Sequence, residues 1–227
     1  MIVVGEADGR SRSGSLDVER AAYDTVAESY ARLLPDTGYE SDLDLAMVRR
    51  FVESIRERGG DSVLDAGCGA GRMVAHLAGL DDSLTIRGVD LSPGMLAVAR
   101  RAHPEVVFVE GELAELPVGD DEVDGVLAWY SIIHTAPEGL PAVYSEFARV
   151  LRPGGSVLVG FQRGAGERWI ARPYGHDVEL SAYLHDTAGV AAALVEAGFA
   201  IDTVLDREPR PSERLAQASL LATRPAR

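Results

Sequence analysis

The chain has 227 residues, 46% of them apolar and 26% charged, the size and make-up of one globular domain that can close a hydrophobic core. Its 22 basic and 36 acidic side chains leave a net charge of −14, which repels phosphate backbones and argues against nucleic acid as a partner. No apolar run approaches the roughly 20 residues that cross a bilayer, and Cys68 is the only cysteine, so an internal disulfide and a Cys/His zinc site are both excluded. A cytoplasmic protein with no metal and no membrane partner is expected.

Residues 1–16 are rich in Gly, Ser and Arg without apolar periodicity and predict a flexible tail, leaving 17–227 as a single domain. From Asp17 onward, Val18, Ala22, Val26, Tyr30 and Leu33 or Leu34 recur every three or four positions, predicting a helix that ends near Pro35. Ser41, with Asp44 three residues on, caps a second helix whose stripe of Leu45, Val48, Val52 and Ile55 stops at Gly59-Gly60. Residues 17–60 thus read as a helical lid. Beyond it SVLDA, LTIRGVD, EVVFVEG, VDGVLAW and GSVLVGF predict five strands, with helices starting near Arg72, Ser92 and Leu140. Runs that are apolar on both faces and separated by helices belong to a doubly wound parallel α/β sheet. Residues 162–186 show no clear period and predict an irregular insert on the substrate side. Thr187 then caps a helix carrying Val190, Leu194 and Val195 that Gly198 stops. FAIDTVLD and QASLLATR complete seven strands as an antiparallel hairpin at the sheet edge.

The strongest chemical signal is VLDAGCGAG, residues 63–71, where a hydrophobic strand enters a glycine turn and a helix follows. Glycines there let backbone N–H groups approach a ligand closely. The third glycine of a dinucleotide fingerprint would fall at position 72, which is Arg72. Asp65 adds a carboxylate that is unfavourable near a pyrophosphate and favourable near an ammonium or sulfonium. Asp90 closes the second predicted strand, where an acid can accept hydrogen bonds from both hydroxyls of a ribose. Ser92 and Pro93 start the next helix and direct Met95 and Leu96 toward an adenine.

VLDAGCGAG, GVDLSPGMLAVAR, VEGELAELPVGDDEVDGVLA and LRPGGSVLVGF, in that order, resemble the successive motifs of class I S-adenosylmethionine-dependent methyltransferases over about Ser62 to Phe161. The resemblance implies a Rossmann-like fold and S-adenosylmethionine as cofactor. It places the methionine part on Asp65 and the backbone of Gly67, Cys68 and Gly69, and the ribose on Asp90, with Leu91 and Met95 beside it. Gly111, Glu112 and Leu113 would flank the adenine edge, and the Ala128 backbone would contact the methionine amine. Glu112 stands where the family commonly has Asp. Tyr23 and Tyr30, on one face of the first helix, resemble the N-terminal aromatics that close over the cofactor. The Cys68 side chain itself reads as a small buried filler.

His134 follows the fourth strand, facing the carboxyl edge of the sheet. Its imidazole can take a proton from a hydroxyl or amine acceptor, or simply pack beneath the loop. Trp169, Tyr174, His176 and Tyr183, with His185, are the substrate-binding candidates of the insert. Cationic residues do not cluster there, which favours a neutral or cationic small-molecule acceptor. The expected function is in-line methyl transfer to that acceptor. The alternatives are a cofactor-binding protein without turnover, a nicotinamide oxidoreductase, which Asp65 and Arg72 disfavour, and methylation of a protein side chain.

Overall fold

The computed structural model of the protein describes residues 12–226. Residues 1–11 of the expected tail lie outside the described residues. Residues 12–16 do not belong to a tail, because helix α1 runs from Arg12 to Leu33. The apolar stripe that marked its start at Asp17 begins only after the first turn. α1 buries Ala22, Val26 and Ala27, while Val18 and Leu33 are exposed.

Helix α2, Asp42–Arg56, opens on the expected capping box: Ser41 Oγ accepts from the Asp44 N–H and Asp44 Oδ2 accepts from the Ser41 N–H. Its buried face includes Met47 and Phe51, which the predicted stripe omits. Phe51 and Ile55 fit because Gly125 gives the helix room: a Cβ there would lie 2.3 Å from Ile55 Cδ1 and 2.8 Å from Phe51 Cζ.

The strands and helices then alternate: β1 Ser62–Ala66, α3 Arg72–Leu80, β2 Thr85–Asp90, α4 Pro93–Ala102, β3 Val107–Glu110, β4 Val123–Trp129, α5 Leu140–Val150 and β5 Leu151–Gln162. α6 spans Thr187–Glu196, and β8 Ala200–Arg207 and β9 Gln217–Thr223 end the fold. The main sheet has seven strands in the order β3-β2-β1-β4-β5-β9-β8. β1 to β5 pair in parallel, and β9 is antiparallel to both β5 and β8. The C-terminal hairpin therefore inserts its second strand beside β5 and leaves β8 at the edge. α5 and α6 cover one face through Tyr144, Phe147 and Leu194, and α2 and α3 cover the other through Phe51, Ile55 and Leu77. Helices on both faces explain why β1 is buried along its whole length.

Two local expectations are corrected. The insert is not irregular: β6, Glu167–Ala171, and β7, Glu179–Tyr183, form an antiparallel hairpin. Its alternation is hidden because the inward positions of β6 are Arg168 and Ile170 and the exposed one between them is Trp169. α6 is capped by Asp186, which accepts from the Gly189 N–H at 3.0 Å, while the Thr187 hydroxyl donates to Asp206.

Candidate active site

The chain leaves β1 in one direction toward β2 and β3 and returns to its other side at β4, so the carboxyl ends of β1 and β4 form the switch point of the sheet. A cavity of about 520 Å³ opens there, within the range of small-ligand sites. Its floor is the turn after β1. The Gly67 and Cys68 N–H groups donate to the Val89 carbonyl at 2.7 and 2.9 Å, tying the turn to β2. Gly67 has φ 79°, and a Cβ on it would lie 2.2 Å from Ser131 Cβ in the loop after β4. Only glycine allows that approach.

Asp90 is held by backbone donors: Oδ2 accepts from the Gly69 N–H at 2.7 Å and Oδ1 from the Ser92 N–H at 2.9 Å. Each oxygen keeps a lone pair for a ligand hydroxyl. Asp65 is 1% exposed, and its Oδ2 has no hydrogen-bond partner among the described residues. Burial pushes its carboxyl up to about 7, even though Arg72 acts to lower it. A buried carboxylate oxygen without a donor is costly, and a ligand ammonium would supply that donor.

α1 roofs the cavity. Asp24 docks it on the N-terminus of α4, accepting from the Ser92 hydroxyl at 2.6 Å and the Gly94 N–H at 2.7 Å, where the helix dipole favours a carboxylate. One turn before Tyr23, Glu19 lines the cavity together with Asp90 and Glu112; burial first, then those two acids, push it up to about 8.

His134 joins three distant segments. Its Nδ1 lies 2.7 Å from the Ser181 carbonyl oxygen on β7, which can only accept, so Nδ1 carries the proton. Nε2 is therefore the acceptor, and the Tyr23 hydroxyl donates to it at 2.6 Å. Burial pushes His134 down to about 4 and the Tyr23 phenol well up, so at neutral pH the imidazole is uncharged and the phenol protonated.

The cavity brings together Tyr23, Tyr30, Gly67, Gly69, Asp90, Leu91, Met95, Gly111, Glu112, Leu113, His134 and Tyr183. Asp65, Cys68 and Ala128 lie behind its surface, all buried. The Cys68 thiol packs against Gly88, and burial pushes its pKa well up, so it is a filler. The other substrate candidates disperse. Tyr174 packs edge-on against Tyr30 at 5.1 Å and lines a second cavity. His176 Nε2 meets Ser29 Oγ at 2.9 Å and fastens the hairpin to α1. His185 is buried, with Nε2 donating to the Ile132 carbonyl. Trp169 is 65% exposed and reaches neither cavity, because strand alternation turns it outward. Glu19, Trp129, Tyr130 and Ser131 line the cavity without having been singled out by the sequence. Only Glu19 carried a signal, its position one helical turn from Tyr23. Tyr130, at φ 59°, donates from its hydroxyl to Gln217 Oε1 at 2.8 Å, a contact that only the folded sheet creates.

A mostly parallel sheet with a glycine turn, an acid with free lone pairs and a buried carboxylate oxygen that finds no donor among the described residues suits a cationic nucleoside cofactor. Residues 63–155 match the family described as "Methyltransferase domain". The demethylmenaquinone methyltransferase of Beutenbergia cavernae is 30% identical over 199 residues, 78% of this chain and 80% of that protein. The Burkholderia thailandensis 1,6-didemethyltoxoflavin-N1-methyltransferase, solved with 1,6-didemethyltoxoflavin and S-adenosylhomocysteine bound, has a TM-score of 0.71 at 22% identity, covering 97% of this chain and 93% of that one. Magnesium protoporphyrin IX methyltransferase from Synechocystis, solved with S-adenosylmethionine, gives 0.65 at 20% identity, covering 96% of this chain and 100% of that one. The chain belongs to the class I S-adenosylmethionine-dependent methyltransferases, and S-adenosylmethionine is its cofactor.

Proposed function

We propose that the protein methylates a hydroxyl or amine of a small molecule and that Tyr23 and His134 together take up the proton released. The observation that carries this is the Tyr23–His134–Ser181 hydrogen-bonded chain at the cavity wall. The residues suited to the cofactor are Asp65 and the Gly67 turn for its methionine part, Asp90 for its ribose, and Glu112 with Leu113 for its adenine edge. Bound there, S-adenosylmethionine supplies an electrophilic methyl on a positively charged sulfur that becomes neutral on transfer.

His134 does not face the acceptor as a free base, since its Nε2 is taken and its pKa lies well below neutral. The phenol oxygen of Tyr23 keeps lone pairs for an acceptor O–H or N–H. A proton passed to that oxygen releases the phenol proton to Nε2, and the Ser181 carbonyl steadies the imidazolium through Nδ1. The cavity carries one positive charge before and after transfer, first on sulfur and then on the imidazole. The rest of the rate comes from alignment, for which effective molarities reach about 10⁵–10⁸ M.

Tyr23→Phe tests the relay. With S-adenosylhomocysteine release measured over a library of hydroxyl and amine compounds, kcat should fall by about 10²–10⁴ while cofactor affinity stays unchanged. Equal turnover by the wild type, Tyr23→Phe and His134→Gln would remove the relay from the mechanism. A purified protein that fails to bind S-adenosylhomocysteine would end the whole reading.

A further inference from the structure

Beyond the tyrosines lies a second cavity of about 580 Å³. Tyr23, Tyr30 and Tyr130 line both cavities, so the two chambers adjoin at these side chains. Each acid of the second chamber sits in an ion pair, Glu40 with Arg72 and both Asp44 and Glu213 with Arg207, although Glu40 Oε2 is buried without a hydrogen-bond partner among the described residues. Two guanidiniums there sit in none. Arg168, on the inward face of β6, and exposed Arg214 both line the chamber, and neither forms an ion pair with a described residue. Among the described residues Arg168 Nε is buried without a partner, and so is Gln162 Oε1 in the same chamber.

An unmatched, part-buried cation is expensive, and this chain has acids to spare, with 36 acidic against 22 basic residues. Burial and the nearby Arg214 both work against the charge on Arg168. A site that keeps such a cation gains from it when a ligand brings the anion. A guanidinium pairs with a planar carboxylate through two parallel N–H donors. Gln162 Oε1 offers an acceptor for an O–H or N–H on the same ligand.

We infer that the second chamber receives the methyl acceptor and that the acceptor carries a carboxylate, seated on Arg168 with Arg214 at the rim. This rests on the methyl-transfer reading above and specifies its substrate class. It also reverses the expectation of a neutral or cationic acceptor. Arg168 and Arg214 are far apart in sequence, and only the convergence of β6 with the segment before β9 brings them to one chamber.

The test begins with titration of the wild type and Arg168→Gln with S-adenosylhomocysteine, followed by titration of each saturated complex with benzoate, benzamide and inorganic phosphate. Benzoate should bind the wild-type complex, with benzamide and phosphate each at least about tenfold weaker. Arg168→Gln should weaken benzoate about 10- to 100-fold, the range of a charge-assisted hydrogen bond, and leave the S-adenosylhomocysteine affinity unchanged. Because the substitution removes an unmatched charge, the unfolding midpoint of the cofactor-free protein should stay level or rise. No benzoate binding, or equal binding by both proteins, overturns the inference. A loss of S-adenosylhomocysteine affinity in the variant overturns it too, by assigning Arg168 to the cofactor's own carboxylate, and phosphate binding tighter than benzoate replaces the carboxylate with a phosphoryl group. Failure of the methyl-transfer reading shows separately, as absence of S-adenosylhomocysteine binding by the wild type.

Discussion

Replacing His134 with glutamine should flatten part of the acid limb of the stability curve. Burial, with a smaller contribution from Arg168, holds the folded imidazole at about 4, against 6.5 for the exposed group. Between those values the unfolded chain binds a proton that the native state refuses, so unfolding gains as pH falls. The stability in question is fully present above about 6.5 and is lost as pH drops toward about 4. At about 1.4 kcal/mol per pKa unit, the shift from 6.5 to about 4 corresponds to about 3 kcal/mol. Asp65 and Glu19, raised to about 7 and about 8, act in the opposite sense, each losing stability as pH rises through its own window. Both proteins contain them, so their effect cancels in the difference. Urea unfolding of the wild type and His134→Gln at intervals from pH 4 to 7.5 gives that difference directly. The variant should carry a pH-independent offset from altered hydrogen bonding, and on top of it the wild type should lose about 3 kcal/mol more between pH 7 and 4. A difference that stays constant over this range would refute a neutral, buried His134 donating to Ser181.

Cofactor affinity should follow the Asp65 carboxyl. Below about 7 it is increasingly protonated in the empty protein and cannot pair with an ammonium, so affinity for S-adenosylmethionine should fall by up to about tenfold per pH unit. Isothermal titration of the wild type and Asp65→Asn between pH 5.5 and 7.5 checks this, and equal slopes would exclude Asp65 from the methionine end. Gly67→Ala and Gly59→Ala form a matched pair. Both glycines have positive φ, 79° and 77°, so each alanine costs about 1–2 kcal/mol. Only at Gly67 would the new Cβ strike Ser131, at 2.2 Å, whereas among the described residues nothing lies within 4 Å at Gly59. Chemical unfolding should show the larger loss at Gly67, with cofactor binding abolished there and retained in Gly59→Ala. Equal behaviour of the two would mean that the turn and the loop after β4 do not meet as described.

The features legible along the chain are local ones. The five parallel strands, the Ser41–Asp44 cap, the Gly67 turn and the Asp90 strand end follow from short runs apolar on both faces, capping chemistry and clustered glycines. Each of these is set within a few neighbouring residues, and the same short stretches carry the family's motifs. The β6–β7 hairpin escaped because half of its alternating pattern is an arginine facing a cavity and a tryptophan facing solvent, the reverse of what hydrophobicity leads one to expect. Tertiary structure alone decided the placement of β9 inside the sheet, the unpartnered oxygen of Asp65, the Tyr23–His134–Ser181 chain and the meeting of Arg168 with Arg214. Those contacts join residues on different elements, and whether two side chains meet depends on strand register and on the angle at which helices pack. Neither quantity is written in the spacing of residues along one segment.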